Sequence, residues 1–222
     1  MASYSDNFNR ADSSDVGADW TSDGNWSISD NRLRAAGVNY LKYNHPLETL
    51  AQYSQITFVD AADYNVFGFV APVLRGSDDG NSGYYWRFRQ HGSSSRLFKR
   101  QNGADTQLLE TGSGGPPAGQ VLRFEISSDH ILRTYINGEL DGEYDDSVSP
   151  LVGYYTGFIG HPGGDAIAYG DDFFAGDLES GTTEAFQLRH NPRTNKVIPV
   201  LSSPTVTDIG AACVRPRVSK GF

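Results

Sequence analysis

The chain has 222 residues, which suits one large β domain or a domain with an appendage. Its 12 Tyr, 12 Phe and 3 Trp exclude intrinsic disorder, and 25 Gly and 10 Pro beside a single Met favour turns over helices. A formal charge of −9 speaks against a nucleic-acid partner, and no apolar run approaches the roughly 18 residues of a membrane span, so no membrane insertion is expected.

The charge is unevenly spread. Residues 181–222 hold six basic groups against Glu184 and Asp208, net +4, whereas residues 1–180 hold 12 basic and 25 acidic groups, net −13. Such a division implies separate jobs for the two segments. Cys213 is the only cysteine, so no intramolecular disulfide and no cysteine zinc cluster can form. The opening MASYSDNFNR has no basic stretch followed by an apolar run, so synthesis in a cytoplasm is expected.

In chain order, Trp26–Ile28 and Leu33–Ala35 flank the turn Ser29-Asp30-Asn31 and predict a tight hairpin. Gln55–Val59 and Val66–Val70 are β-type runs. From Gly83 to Arg89 the residues alternate: Tyr84, Trp86 and Phe88 are expected in the core, with Tyr85, Arg87 and Arg89 outward. Arg96–Lys99 and Thr106–Glu110 flank Asn102-Gly103, the dipeptide best suited to a two-residue hairpin turn. Val121–Ile126 and Ile131–Ile136 alternate, Asn137-Gly138 turns the chain into Glu139–Tyr144, and Thr156–Gly160 and Gly170–Phe174 follow. About a dozen short strands with turn residues between them predict an all-β fold, an antiparallel sandwich or jelly roll spanning residues 1–180. The stretch 111–119 is expected as a surface loop inside that domain rather than a linker. Beyond residue 180 four prolines and scattered apolar residues give neither a helical nor a clean strand period. This C-terminal extension, 181–222, is expected to dock through Ile198, Leu201, Val206, Ile209, Arg215 and Arg217, since so short a segment seldom builds its own core.

The block Asp6-Asn7-Phe8-Asn9-Arg10-Ala11-Asp12, then Trp20, then Gly24-Asn25-Trp26-Ser27-Ile28, resembles the start of concanavalin A-like (laminin-G-like) jelly rolls. It is most similar to those in phage tail and other virion proteins. Leu132–Gly138 resembles the strand and Asn-Gly turn of that superfamily, and Asp171-Asp172-Phe173-Phe174 resembles its closing strand. The resemblance implies that the opening and closing strands pair, setting Phe8 near Phe173, with Trp20 and Trp26 filling the space between sheets. It also implies a structural calcium, for which Asp6, Asp171 and Asp172 are the candidate ligands and the loop Asp78-Asp79-Gly80-Asn81 a further one. No other cofactor is expected, because the five His are too dispersed for a zinc site.

Two constellations bear on function. Glu139-Leu140-Asp141-Gly142-Glu143 resembles the Glu-x-Asp-x-Glu strand of laminarinase- and lichenase-type glycoside hydrolases. There, carboxylates about 5–5.5 Å apart serve as nucleophile and acid/base. Its place right after a turn, Gly142 inside it, and Asp145 and Asp146 behind it instead predict an exposed acidic hairpin and no catalytic residues. Second, Tyr85, Arg87 and Arg89 on one strand face offer aromatic stacking and guanidinium donors, the equipment of a glycan site or of a packed protein interface. The expectation is therefore a non-enzymatic phage virion protein, tail- or capsid-associated. It would contact other virion proteins and further copies of itself, and would reach a bacterial surface glycan. The alternative is a carbohydrate-binding lectin module and, behind it, a hydrolase using Glu139, Asp141 and Glu143. A chain ending at Ser180 is expected to stay folded and soluble yet fail to join a particle; a melting curve and an incorporation assay check the two halves.

Overall fold

The computed structural model describes residues 1–22, 24–37, 39–61, 69–87, 94–112, 119–161, 168–178, 187–191 and 196–200. Among the described residues there are strands and no helix. The first strands are β1 (Ser3–Asp6), β2 (Trp20–Ser22), β3 (Trp26–Ser29), β4 (Arg32–Ala35), β5 (Asn39–Tyr43) and β6 (Gln52–Ala61). Next come β7 (Phe69–Gly76), β8 (Gly83–Arg87), β9 (Ser95–Gln101), β10 (Ala104–Thr111), β11 (Gln120–Ile126) and β12 (Ile131–Ile136). The last are β13 (Glu139–Asp145), β14 (Tyr155–His161), β15 (Ala168–Asp177), β16 (Gln187–Asn191) and β17 (Lys196–Val200).

The chain forms two compact units, Met1–Thr182 and Thr183–Phe222. The first is an antiparallel β-sandwich of jelly-roll type. Its eight-stranded sheet runs β13-β12-β11-β6-β15-β4-β3, with β1 also paired to β15; its seven-stranded sheet runs β10-β9-β8-β7-β14-β5-β2. In the second unit β16 and β17 make a hairpin, with Arg189 opposite Ile198 and Leu188 opposite Pro199. That hairpin was not legible from the tail's irregular period. Of the expected docking residues only Ile198 falls in it; Leu201, Val206, Ile209, Arg215 and Arg217 lie outside the described residues.

Turn chemistry places the hairpins. Asp30 and Asn31 (φ 55° and 58°) join β3 to β4, Asn102 and Gly103 (52° and 80°) join β9 to β10, and Asn137 and Gly138 (52° and 85°) join β12 to β13. Left-handed φ at both central residues gives the turn whose twist matches its flanking strands.

The expected pairing of the opening and closing strands is present: Ser3 lies opposite Gly176 and Asp6 opposite Phe173. Phe8 and Phe173 share the core with Trp20, Trp26, Trp86, Phe124 and Phe158. Trp26 is 1% exposed and Trp20 6%, so both tryptophans are core residues. Trp20 is stacked on Phe158 at 5.7 Å and meets the edge of Phe173 at 5.0 Å, geometries that add to simple burial.

Asp6 ties this cluster together. Its carboxylate accepts from Arg10 Nη1 and Nη2 (2.8 Å each), from the Phe8 N–H (2.8 Å) and from the Trp20 indole N–H (2.8 Å). Burial alone would raise its pKa, but Arg10, the Phe8 amide and Trp20 outweigh burial and hold it below the ordinary value. At the C-terminal end of β15, Asp177 accepts from Ala2 N (2.7 Å), Thr49 N (2.9 Å) and Thr49 Oγ1 (3.0 Å), pinning β1 and the segment before β6.

A depressed carboxylate contributes stability above its unfolded pKa and loses it as pH falls through the folded one. Asp6→Asn should therefore lower stability by about 1–3 kcal/mol at neutral pH. It should also flatten the acid loss that the parent shows below about pH 4. Urea melts of both proteins across that range are the check, and parallel curves would contradict the assignment.

Candidate functional site

The central strands β7 and β8 of the seven-stranded sheet are buried on both faces, while β10 at its edge is largely exposed. Inward the sheet presents Tyr84, Trp86 and Leu97 to the main core, as alternation predicts for the first two; Phe88 lies outside the described residues. Outward it carries a second apolar cluster of Phe69, Ala71, Val73, Tyr85 and Ile159, with Tyr40 and Phe98 packed against it.

On this outer face three neighbouring strands build a platform. Residues of β9 alternate, with Ser95, Leu97 and Lys99 buried and Arg96, Phe98 and Arg100 half-buried on the outer side. Cross-strand register makes three rungs. Gly83, Arg100 and Asp105 form one, Tyr85, Phe98 and Gln107 the second, and Arg87, Arg96 and Glu110 the third. In the middle rung Tyr85 and Phe98 stack face to face, 5.1 Å apart and tilted by 10°. Arg87 lies over Phe98 at 4.7 Å and Phe69 at 5.7 Å, while Arg100 lies over Tyr85 at 5.7 Å. Arg100 also grips Asp105 with two parallel bonds, 2.8 and 2.9 Å. Burial would raise the Asp105 pKa, yet Arg100 and the Tyr85 hydroxyl bring it below the usual carboxylate value. Burial, reinforced by the Asp105 charge, pushes the Tyr85 phenol up. Arg96 approaches Glu110 at 3.2 Å on the rim, and the Ser94 hydroxyl, then Gln107 and Arg96, hold Glu110 below its ordinary value.

The structure thus keeps Tyr85 and Arg87 together on the expected face but corrects the role of Tyr85. It is 4% exposed, a floor residue beneath Arg100 and beside Phe98. Arg89 lies outside the described residues. Phe98, Arg96, Arg100 and Asp105 were missed. Their signal was present as Arg96-Leu97-Phe98-Lys99-Arg100, an i, i+2, i+4 stripe of cation, aromatic and cation, here taken only as a hairpin arm.

The proposed calcium ligands do not fit a cation. Asp6 is saturated by Arg10, Trp20 and the Phe8 amide, and Asp171 Oδ1 accepts from Asp172 N (2.9 Å). In the other candidate loop Asp78 pairs with the Lys42 ammonium. Asp79 is taken by the Ser77 hydroxyl and by the Asn81 N–H and side-chain amide, which draw its pKa to about 2. Among the described residues no group of three or more His, Cys, Asp and Glu is placed to hold a metal.

The three carboxylates of β13 do not line one cleft. Register slips between Thr134 and Tyr135, so Gly142 faces Thr134, Leu140 faces Tyr135, and Asp141 is the extra residue of a bulge. Glu143 turns to the sheet's outer side and pairs with Arg133 at 2.7 Å. Asp141 bonds Thr111 of the other sheet at 2.5 Å. The spacing that would align three acids in a regular strand is broken where it would have to hold.

No protein-family model matches the chain. No curated protein matches it in sequence. Solved structures do match in shape. The carbohydrate-binding module CBM66 from Bacillus subtilis is 18% identical, with 72% of this chain and 92% of that one covered and a TM-score of 0.50. A protein of unknown function with a galectin-like fold, also from B. subtilis, is 14% identical, covering 80% and 96%, with a TM-score of 0.56. Beta-agarase A from Zobellia galactanivorans is 14% identical, covering 77% and 88%, with a TM-score of 0.55.

Because Tyr85 is buried, Tyr85→Ala should destabilise the fold by about 3–5 kcal/mol. Thermal melting checks this; an unchanged melting temperature would return Tyr85 to the surface. At 18% identity or less, the three likenesses establish the chain's jelly-roll fold and nothing finer.

Proposed function

We propose that this protein is a non-catalytic glycan-binding module whose site is the outer-face platform of β8, β9 and β10. One observation carries the proposal. A stacked aromatic pair, Tyr85 and Phe98, stands between guanidinium groups, with Gln107, Asp105 and Glu110 along its margin. Sugar rings lay their C–H faces on aromatic rings, and their hydroxyls take up charged and amide groups at fixed positions around them. The shared fold with proteins described as a carbohydrate-binding module and an agarase supports this choice. The broken acidic row of β13 favours binding over hydrolysis.

The virion setting is a separate proposal. It rests on the N-terminal resemblance and on the contrast between an acidic body and a basic C-terminal segment. Within it, the segment would attach the module to other virion proteins or to further copies, and the platform would face a bacterial surface.

Phe98→Ala removes the half-buried stacking ring while leaving Tyr85 in the cluster. It should weaken binding on a glycan array by about tenfold or more in a protein that still folds, with a smaller fall in melting temperature than Tyr85→Ala causes. Wild-type protein that binds nothing on a broad array would end the glycan proposal. In parallel, Glu139→Gln and Glu143→Gln should leave a panel of β-glucans as intact as the parent does. Turnover lost in either variant would replace binding with catalysis.

A further inference from the structure

We propose that His130 is an acid-sensitive latch: its neutral ring helps to hold one end of the sandwich closed, and protonation loosens that end. The anchor is Arg75 near the end of β7, which is 0% exposed and has φ 50°. All the N–H groups of its guanidinium are used inside the protein. Nε and Nη2 donate to the Leu50 carbonyl (2.9 and 2.7 Å), and Nη2 also donates to the Ser127 carbonyl (3.1 Å). Nη1 donates to the Leu151 carbonyl (3.1 Å) and to His130 Nδ1 (2.9 Å). One side chain thus ties together the approach to β6, the turn between β11 and β12, and the segment between β13 and β14.

The bond to His130 constrains where a proton can sit. A guanidinium has donors only, so Nδ1 must offer its lone pair and the ring proton belongs on Nε2. A proton added at Nδ1 removes the acceptor and sets one N–H against another, with positive charge on both groups. The surroundings do not offset this. Asp146 is the buried carboxylate of the cluster, and it is already engaged by Lys99 Nζ at 2.7 Å and by the Tyr84 hydroxyl. Burial, then the bond to Asp146, pushes the Tyr84 phenol up, so it donates and carries no charge. Arg75 and Lys99 against Asp146 leave the cluster with an excess of positive charge before His130 gains any. Asp129 and Asp145 stand in solvent, where screening weakens their pull on the ring. The Ser147 hydroxyl and N–H, and after them the charge of His130, hold Asp145 below its ordinary value.

The effect of release falls on the segment from Asp146 to Tyr154, which joins no strand ladder. Lys99 holds its Ser149 carbonyl, the Tyr84 hydroxyl accepts from Leu151 N (2.8 Å), Arg75 holds the Leu151 carbonyl, and the Gln52 amide donates to the Gly153 carbonyl (2.9 Å). Val148 and Val152 face outward, 97% and 68% exposed. Because Nη1 serves both Leu151 and His130, a guanidinium pushed away from the imidazole also leaves the Leu151 carbonyl. A contact that needs the neutral ring contributes stability above the pH at which the unfolded histidine takes up its proton, about 6.5, and loses it as pH falls.

His130→Asn tests the latch. It keeps an acceptor at the δ position, suits the left-handed φ of 66° and cannot be protonated in this range. Thermal melts of the full chain and of the variant are compared at pH 7.5 and pH 5.0, above the range where the depressed carboxylates lose their contribution. The parent's melting temperature should fall by about 2–4 °C more than the variant's. His45, paired with Asp19, is present in both proteins, so its contribution cancels. Hydrogen exchange, corrected for intrinsic rate, should quicken at pH 5.0 over residues 147–154 relative to the β3–β4 hairpin, in the parent only. Equal falls in the two proteins, or a larger fall in the variant, overturn the latch. Should His130→Asn not fold, exchange in the parent decides, and protection of 147–154 that is the same at both pH values rejects the proposal.

Discussion

The sandwich depends on β15 serving three partners at once. The strand lies between β6 and β4 in the eight-stranded sheet and also pairs with β1, so residues 3 and 176 meet across the domain. Asp177 closes this junction at one end and Asp6 at the other, where its carboxylate organises Arg10 and Trp20. Phe173, in the middle of β15, reaches the aromatic cluster that this corner encloses. Closing so long a loop is entropically unfavourable, and the many contacts made at the junction together offset that cost.

Much of this architecture was legible because local chemistry and global pairing agree in it. The Asn-Gly turns, the alternation in β8, β11 and β12, and the tryptophan core follow from residue types with periods of two. Three features were not legible. The short strands β1, β2 and β5 exist through pairings distant in sequence, and nothing in Ser3–Asp6 announces a strand by itself. Tyr85 alternates like a surface residue, but the outer face of its sheet carries an apolar cluster of its own, so alternation separates two buried environments. The bulge at Asp141 depends on how β13 meets β12, information absent from the motif Glu139–Glu143 itself.

That contrast separates the two candidate sites. The carboxylate motif is conspicuous in sequence and is disassembled by register. The platform is inconspicuous, because its members come from three strands and only Arg96, Phe98 and Arg100 are close in sequence. Its parts hold each other in place: Asp105 fixes Arg100, Arg100 covers Tyr85, and Tyr85 stacks with Phe98. A surface with side chains ordered before any partner arrives loses less entropy on binding than one that must assemble its contacts.

The carboxylates of β13 acquire a different meaning from their position. β13 is an outer strand of the eight-stranded sheet, the kind of border that recruits strands from neighbouring molecules. Its sequence sets Glu139, Asp141, Glu143 and Asp145 along that border, around a Leu140 that is 57% exposed, and the bulge kinks the line on which a second strand would have to lie. A foreign strand would bring its backbone against a row of like charges and a misaligned ladder. The acidic hairpin thus works as a fence that disfavours strand addition along the β13 border.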